Sequence, residues 1–219
     1  NFTKMEYEQE MVCDVYNEIA DRFNLTRGYK WGWVKEFMST VPKNSLVYDI
    51  GCGSGRNMDF ADINFIGLDN CENLLKICRE KGFNVVSGDM CQLPFASESA
   101  DYVTAIASFH HLSTLERRTQ ALNEFYRVLK PSGKLLVSVW SKQQPAKTRR
   151  VFDNYGDTIV KWDQHGDIFE RYYHIFQLDD LKKMFTTCGF EIDEYKWDCG
   201  NEIFVLKKSD YKNKTIITL

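Results

Sequence analysis

The 219-residue sequence is short of anything that would divide it: four prolines, no internal repeat, no low-complexity tract and no proline- or serine-rich linker. One domain spanning residues 1–219 is therefore the expectation. No apolar run approaches the roughly 18 residues that a membrane helix needs, and the opening "NFTKMEYEQE" does not read as a signal peptide. Seven cysteines lie scattered at Cys13, Cys52, Cys71, Cys78, Cys91, Cys188 and Cys199, but none forms a C-x-x-C pair. That excludes a zinc knuckle or a redox dithiol, so no metal site is expected. Reduced thiols suit a cytoplasmic protein, with the nucleus as the alternative. A strong charge of either sign is also missing: 28 basic against 31 acidic residues give a net charge of −3. Any contact with nucleic acid must then come from a local basic patch.

What is present is enough apolar material for one core, 43% of the residues, of which the aromatics are 14% of the chain. Val12, Val15, Tyr16, Ile19 and Phe23 fall at helical spacing, and a short helix is expected over Trp31 to Met38. Residues 1–42 thus form a helical lid. Within it "TRGYKWGW", Thr26 to Trp33, crowds two cations and three large aromatics into eight residues. From residue 43 to 142 short apolar runs ("SLVYDI", "NFIGLD", "FNVVSGD", "ADYVTAIAS", "GKLLVSVW") end in polar turns and alternate with helical stretches. A helix over Leu115 to Leu129 is expected to bury Leu115, Leu122, Phe125, Tyr126 and Leu129, with Ser113 and Glu116 as a capping box. Residues 143–219 carry a helix near Leu178 to Cys188 and two strands, "FEIDEYKW" and "EIFVLKK", paired as a hairpin. The alternation predicts an α/β fold with a mostly parallel sheet, ended by that antiparallel hairpin.

The chemistry concentrates in "YDIGCGSGRN". A strand runs into a glycine cluster and then what reads as a helix start, so the backbone can approach a ligand at the strand's carboxyl end. The dinucleotide pattern G-x-G-x-x-G is not met, because Arg56 stands where the third glycine would be. Asp49 at the loop mouth would repel a pyrophosphate and suits a cationic ligand such as an amino acid's ammonium. Asp69, ending the second strand, is placed for a ribose diol, and Asp89, after the third, for an exocyclic adenine amine.

Three acids at three consecutive strand ends resemble the class I S-adenosylmethionine-dependent methyltransferases. The resemblance covers Leu46 to Trp140 and implies a Rossmann-like, seven-stranded fold with S-adenosylmethionine as cofactor. It implies that Gly51, Gly53 and Gly55 line the methionine moiety, that Asp49 and Asp69 serve as described, and that Asp89, Met90 and Ala107 complete the cofactor set. An N/D-P-P-Y segment, usual in enzymes that methylate base or glutamine nitrogens, is missing after the fourth strand, which reads "AIASFHHLST". Cys91 in "MCQLP" lacks the P-C context of a cytosine C5 nucleophile. An oxygen acceptor that is already ionised, or readily made so, is left as the better expectation.

"VYNEIADRFNLTRGYK", "STLERRTQAL", "SVWSKQQ" and "FERYYHIF" resemble, in this order, the eukaryotic tRNA methyltransferases that esterify 5-carboxymethyluridine at the wobble position. This resemblance runs from Glu8 to Lys207. It implies attack of a uridine carboxylate oxygen on the methyl carbon, which needs no strong general base, since a carboxylate is ionised at neutral pH. The site would need groups that orient the carboxylate, and Arg27, Lys30, His110, Arg171 and His174 are the candidates. Tyr29, Trp31, Trp33, His111 and Tyr173, with Tyr172, are candidates to touch or stack on bases of the anticodon loop. Arg117, Arg118 and the "KTRR" run, Lys147 to Arg150, are candidates for RNA phosphates, the last equally a solvated loop. Which of Trp31 and Trp33, and which of His110 and His111, faces the substrate stays open. The resemblance further implies a small zinc-binding activator subunit. The third strand, expected at a sheet edge, is where it should dock, along Phe83 to Val86. Alternatives are a small-molecule O- or C-methyltransferase with a quinone- or sterol-like acceptor and an apolar acceptor pocket, and a non-catalytic S-adenosylmethionine-binding scaffold.

Overall fold

β-branched and aliphatic side chains bounded by turn residues build the central strands, and their burial on both faces explains why they read as unbroken apolar runs. The structure, a computed structural model, describes residues 4–26, 28–148, 150–164 and 166–209. At the amino end come α1 (Lys4–Glu8), a π-helical turn (Gln9–Asp14), α2 (Val15–Glu18), α3 (Ala20–Leu25) and α4 (Gly32–Thr40). The core follows with β1 (Leu46–Ile50), β2 (Asn64–Asp69), α5 (Glu72–Glu80), β3 (Val85–Ser87), β4 (Ala100–Ile106), α6 (Leu115–Val128) and β5 (Leu129–Trp140). The remainder is β6 (Gly156–Gln164), β7 (Asp167–Ile175), α7 (Leu178–Thr187), β8 (Phe190–Asp198) and β9 (Asn201–Lys208).

Seven strands form one sheet in the order β3-β2-β1-β4-β5-β9-β8. Pairing is parallel through β5 and antiparallel for β9 and β8, as the mostly parallel, seven-stranded expectation requires. The order reverses at β1, and the crevice at the carboxyl ends of β1 and β4 is where such a sheet binds its ligand. α6 and α7 cover one face with Leu122, Phe125, Leu181 and Phe185, and α4 covers the other with Trp33, Val34 and Phe37.

Local expectations fail in four places, each for a tertiary reason. The opening helix is not continuous: it is loosened by the π turn and interrupted at Ile19, letting Cys13 and Ala20 pack against α5 while Tyr16 turns toward β7. No helix follows the glycine loop; residues 51–63 are turns and extended chain, because Gly51, Gly53 and Gly55 all take positive φ (73°, 56° and 79°). Thr114, not Ser113, caps α6, its hydroxyl accepting from the Arg117 amide at 3.2 Å, and the Ser113 hydroxyl donates to Glu8 at 2.8 Å instead. Leu115 is exposed on α6, and Leu112 from the preceding turn takes the core place at that end. The sequence reading also missed β6 and β7, a separate two-stranded antiparallel sheet, whose strand β7 packs on the N-terminal segment and the 3₁₀ turn Phe109–His111.

Candidate active site

The glycine loop owes its shape to close approaches. Gly51 and Cys52 both donate their amides to the Leu68 carbonyl, at 2.7 and 3.0 Å, which fastens the loop to β2. Asp69 then grips it from below, accepting from the Gly53 amide at 2.9 Å through Oδ2 and from the Cys71 amide at 2.9 Å through Oδ1. Each carboxylate oxygen keeps lone-pair capacity for a further donor, and Asp69 lines the cavity above the loop.

That cavity, about 420 Å³, runs from Asp69, Asp89 and Met90 past the glycine loop to a second end at His110, Trp140, Arg150, Tyr173 and Asn201. It gathers Tyr29, Trp31, Gly51, Gly53, Asp69, Asp89, Met90, Ala107, His110, His111, Arg117 and Tyr173 of the expected residues. Others are elsewhere. Asp49 lies buried behind the loop, one oxygen accepting from the Thr104 hydroxyl at 2.7 Å and the other without a hydrogen-bond partner among the described residues. Burial, with Asp69 adding and Thr104 opposing, raises its carboxyl to about 6. Gly55 is a packing glycine, since a Cβ there would come within 2.6 Å of the Phe83 ring. Lys30 turns away to Asp59, donating to its carbonyl at 3.0 Å. His174 is drawn to Asp157 at 2.6 Å, and Tyr172 donates to the same carboxylate. Arg27 and Arg149 lie outside the described residues.

The tryptophan pair divides its labour. Trp33 is core on α4; Trp31 reaches the cavity but stacks on Trp33 (5.3 Å, 17°) with the Arg56 guanidinium 4.0 Å from its ring centre. Arg118, expected as a phosphate-binding surface group, is buried and donates to the Leu112 carbonyl at 3.0 Å and the Tyr172 hydroxyl at 3.2 Å. Arg117 is likewise no surface group. Its Nε donates to Glu8 at 2.7 Å and its Nη2 to Asp89 at 2.9 Å, so one guanidinium joins α1, α6 and the loop that follows β3. Removing it would leave the buried Glu8 carboxylate without its cation and next to the Asp89 carboxylate. Arg117→Met should cost about 3 kcal/mol of stability, a fall in Tm of roughly 6–12 °C for a chain of this size, read by thermal unfolding. Arg117→Lys should recover only part of it, because one ammonium cannot reproduce the forked grip.

At the other end the histidines are held in opposite tautomers. The Trp140 amide donates to His110 Nδ1 at 3.0 Å, so the proton sits on Nε2, which is buried and has no partner among the described residues. Burial, with His111 and Arg171 nearby, keeps His110 well below the usual histidine range and neutral. His111 Nδ1 instead lies 2.8 Å from the Tyr172 carbonyl and must donate to it, leaving Nε2 to accept from the Tyr16 hydroxyl at 3.3 Å. Burial pushes His111 down to about 3. Tyr16 also lies 3.2 Å from the Tyr173 hydroxyl and accepts from Arg171 at 3.0 Å. Arg171 therefore acts from behind the wall: it is buried beside Tyr16 and Tyr173 and does not line the cavity. Tyr173 stacks on Trp140 (4.2 Å, 8°), and the Arg150 guanidinium sits 4.1 Å from the Trp140 ring centre.

Sequence reasoning missed Tyr16, Trp140 and Asn201 as site residues and placed Arg150 only in a surface run. The one signal for Trp140 was its position at the carboxyl end of a central strand.

A family model described as "Methyltransferase domain" matches residues 48–137. A fission yeast (Schizosaccharomyces pombe) relative named tRNA (carboxymethyluridine(34)-5-O)-methyltransferase is 34% identical over 94% of this chain and 100% of its own length. This chain belongs to that methyltransferase family. A mouse (Mus musculus) member, named tRNA (carboxymethyluridine(34)-5-O)-methyltransferase ALKBH8, is 42% identical over 73% of this chain, which spans about a quarter (24%) of the mouse protein's length. Among solved structures, a complex between the Haloferax volcanii Trm112 methyltransferase activator and a methyltransferase shares the fold, with a TM-score of 0.68 and 18% identity over 91% of this chain and 98% of that one. The residues present fit S-adenosylmethionine, the cofactor of this methyltransferase class. The loop brings bare backbone to the cavity, Asp69 stands ready for a diol, and the partnerless Asp49 oxygen supplies negative charge behind it. With no helix starting at the loop, nothing there is built to cradle a pyrophosphate.

Proposed function

We propose that this chain methylates the carboxylate of 5-carboxymethyluridine at the tRNA wobble position, giving the methyl ester. The observation that carries the reading is the polar, aromatic second end of the cavity: a neutral His110 with its Nε2–H unengaged, beside Arg150 on Trp140. A quinone- or sterol-like acceptor would call for an apolar wall there. Bound S-adenosylmethionine supplies an electrophilic methyl group on a sulfonium. Asp69, the glycine loop, Asp89 and Met90 hold the cofactor at the first end of the cavity. His110 and Arg150 orient the carboxylate at the second. His110, being neutral, directs one oxygen without cancelling the charge that makes the other nucleophilic. That oxygen is already ionised, so it would take the methyl group that the bound cofactor's sulfonium would supply, with the sulfur keeping the bonding pair as a neutral thioether, and no proton has to move. Tyr29, exposed at the rim, is available to the anticodon loop.

A small zinc-binding activator subunit is part of the same proposal. β3 pairs only with β2 among the described residues, so its outer edge is open to a partner strand at Val85 and Val86, the end of the expected Phe83 to Val86 segment that lies in the strand. No helix among the described residues is long and apolar enough to cross a membrane.

The test uses the full chain with that activator, labelled S-adenosylmethionine, and tRNA carrying 5-carboxymethyluridine. Label should enter the RNA and be released by mild alkali as methanol, because only an ester hydrolyses so readily. Label stable to alkali, or no transfer with the activator present, would sink the reading.

A further inference from the structure

The β8–β9 turn delivers another buried, partnerless polar atom to the cavity. Asn201 is 3% exposed, lines the cavity, and donates through Nδ2 to the Asp198 and Cys199 carbonyls at 3.2 and 3.4 Å. Those bonds fix the amide's orientation, so Oδ1 is the free end, and it has no hydrogen-bond partner among the described residues. A buried carbonyl oxygen left unpaired is costly, so it needs a donor from whatever fills the space.

Its neighbours say what that is. Asn201 stands directly across the sheet from Trp140 in the β5–β9 register, and the Trp140 amide is the group that sets the His110 tautomer. Arg150 is tied to the same turn: it donates to Gln144 Oε1 at 3.3 Å, and Gln144 Nε2 donates to the Gly200 carbonyl at 2.8 Å. The acceptor therefore sits beside the two donors that the proposed function gives to the carboxylate. On uracil, C5 carries the carboxymethyl group, C4 carries the carbonyl, and the next ring atom, N3, bears the only N–H donor of the base. Cytosine has a bare acceptor at N3. We infer that Asn201 is a specificity-determining residue, its Oδ1 accepting from the uracil N3–H while His110 and Arg150 hold the carboxylate. The inference rests on the proposed ester-forming activity.

A site built to receive an N–H rejects an analogue lacking it far more strongly than a site that only matches shape, because its own polar group is then left unpaired. Purified chain with its activator should be compared on anticodon stem-loops carrying 5-carboxymethyluridine, 5-carboxymethylcytidine or N3-methyl-5-carboxymethyluridine at position 34. Wild-type kcat/KM should fall at least ~100-fold for the cytidine and N3-methyl forms. Asn201→Ala should lose ~10–100-fold on the uridine form and narrow the uridine-to-cytidine ratio to below ~10, with cofactor affinity unchanged. The N3-methyl RNA removes the donor from the ligand, so the wild-type comparison stands even if the variant folds poorly. Equal wild-type rates on uridine and cytidine, or an unaltered ratio in folded Asn201→Ala, would overturn the assignment. No wild-type transfer to the uridine RNA would overturn the activity beneath it, a separate result.

Discussion

Gly51→Ala should abolish cofactor binding and leave a protein several kcal/mol less stable. Two costs add at this position. Its φ of +73° is a conformation that alanine adopts at a cost of about 1 kcal/mol, and the new Cβ would stand 2.3 Å from the Ser108 Cβ and 2.7 Å from its Oγ. Neither neighbour can yield cheaply. Ser108 is buried and anchored by donating to the Ile50 carbonyl at 2.9 Å, and Gly51 itself donates to Leu68 at 2.7 Å. Relief means moving the loop off β2, costing a further 1–3 kcal/mol, roughly, and displacing the backbone that faces the cofactor. Isothermal titration with S-adenosylmethionine and urea unfolding read the two effects. Gly53→Ala is the control: its added Cβ would meet only Phe23, at an ordinary 3.6 Å, so it should cost only the backbone term. If Gly51→Ala unfolds at the same urea concentration as Gly53→Ala does, the close-approach explanation fails.

Asp49→Asn should separate stability from binding. Burial holds the folded Asp49 carboxyl at about 6, above its ordinary 3.8, so the folded chain takes up this proton before the unfolded chain does. The sign follows: the ionised group costs stability above pH 6, and the cost fades as pH falls from about 6 to 3.8. Raising a carboxyl from 3.8 to about 6 corresponds to roughly 3 kcal/mol, so Asp49→Asn should raise the apo protein's stability at pH 7.5 by up to about that amount. Asparagine can still accept from Thr104, which keeps the site's geometry. Cofactor affinity should move the other way. In the wild type it should weaken as pH drops through 6, when the buried negative charge behind the loop is lost. In Asp49→Asn it should be weak and flat across that range. A variant that binds S-adenosylmethionine as tightly as wild type at pH 7.5 would remove Asp49 from cofactor recognition.

Most of the cofactor end was legible in the residue order, because its parts are local. Asp49, Asp69 and Asp89 each end or follow a strand, and parallel strands bring their carboxyl ends together whatever the rest of the fold does. The substrate end was only partly legible, because its parts come from distant segments. Arg118 was expected on RNA phosphates and Lys30 on the substrate carboxylate, but packing turns one onto Leu112 and Tyr172 and the other onto Asp59. Arg171 was expected to touch the substrate and instead supports Tyr16. Asn201 was missed because nothing in its neighbourhood in the chain reveals that antiparallel register places it opposite Trp140.

The sequence by itself determined the α/β alternation, the terminal hairpin, the glycine loop and its acids, and through its motifs the methyltransferase family. Hydrophobic periodicity, turn chemistry and spacing act over a few residues, and these features need no more. Only the tertiary structure decided that Trp31 and not Trp33 reaches the cavity, that His110 and His111 carry their protons on opposite nitrogens, and that Arg117 clamps Glu8 to Asp89. Each depends on which buried partner lies across the fold. A buried donor or acceptor must be paired, and pairing over such sequence distances is set by packing rather than by neighbours in the chain.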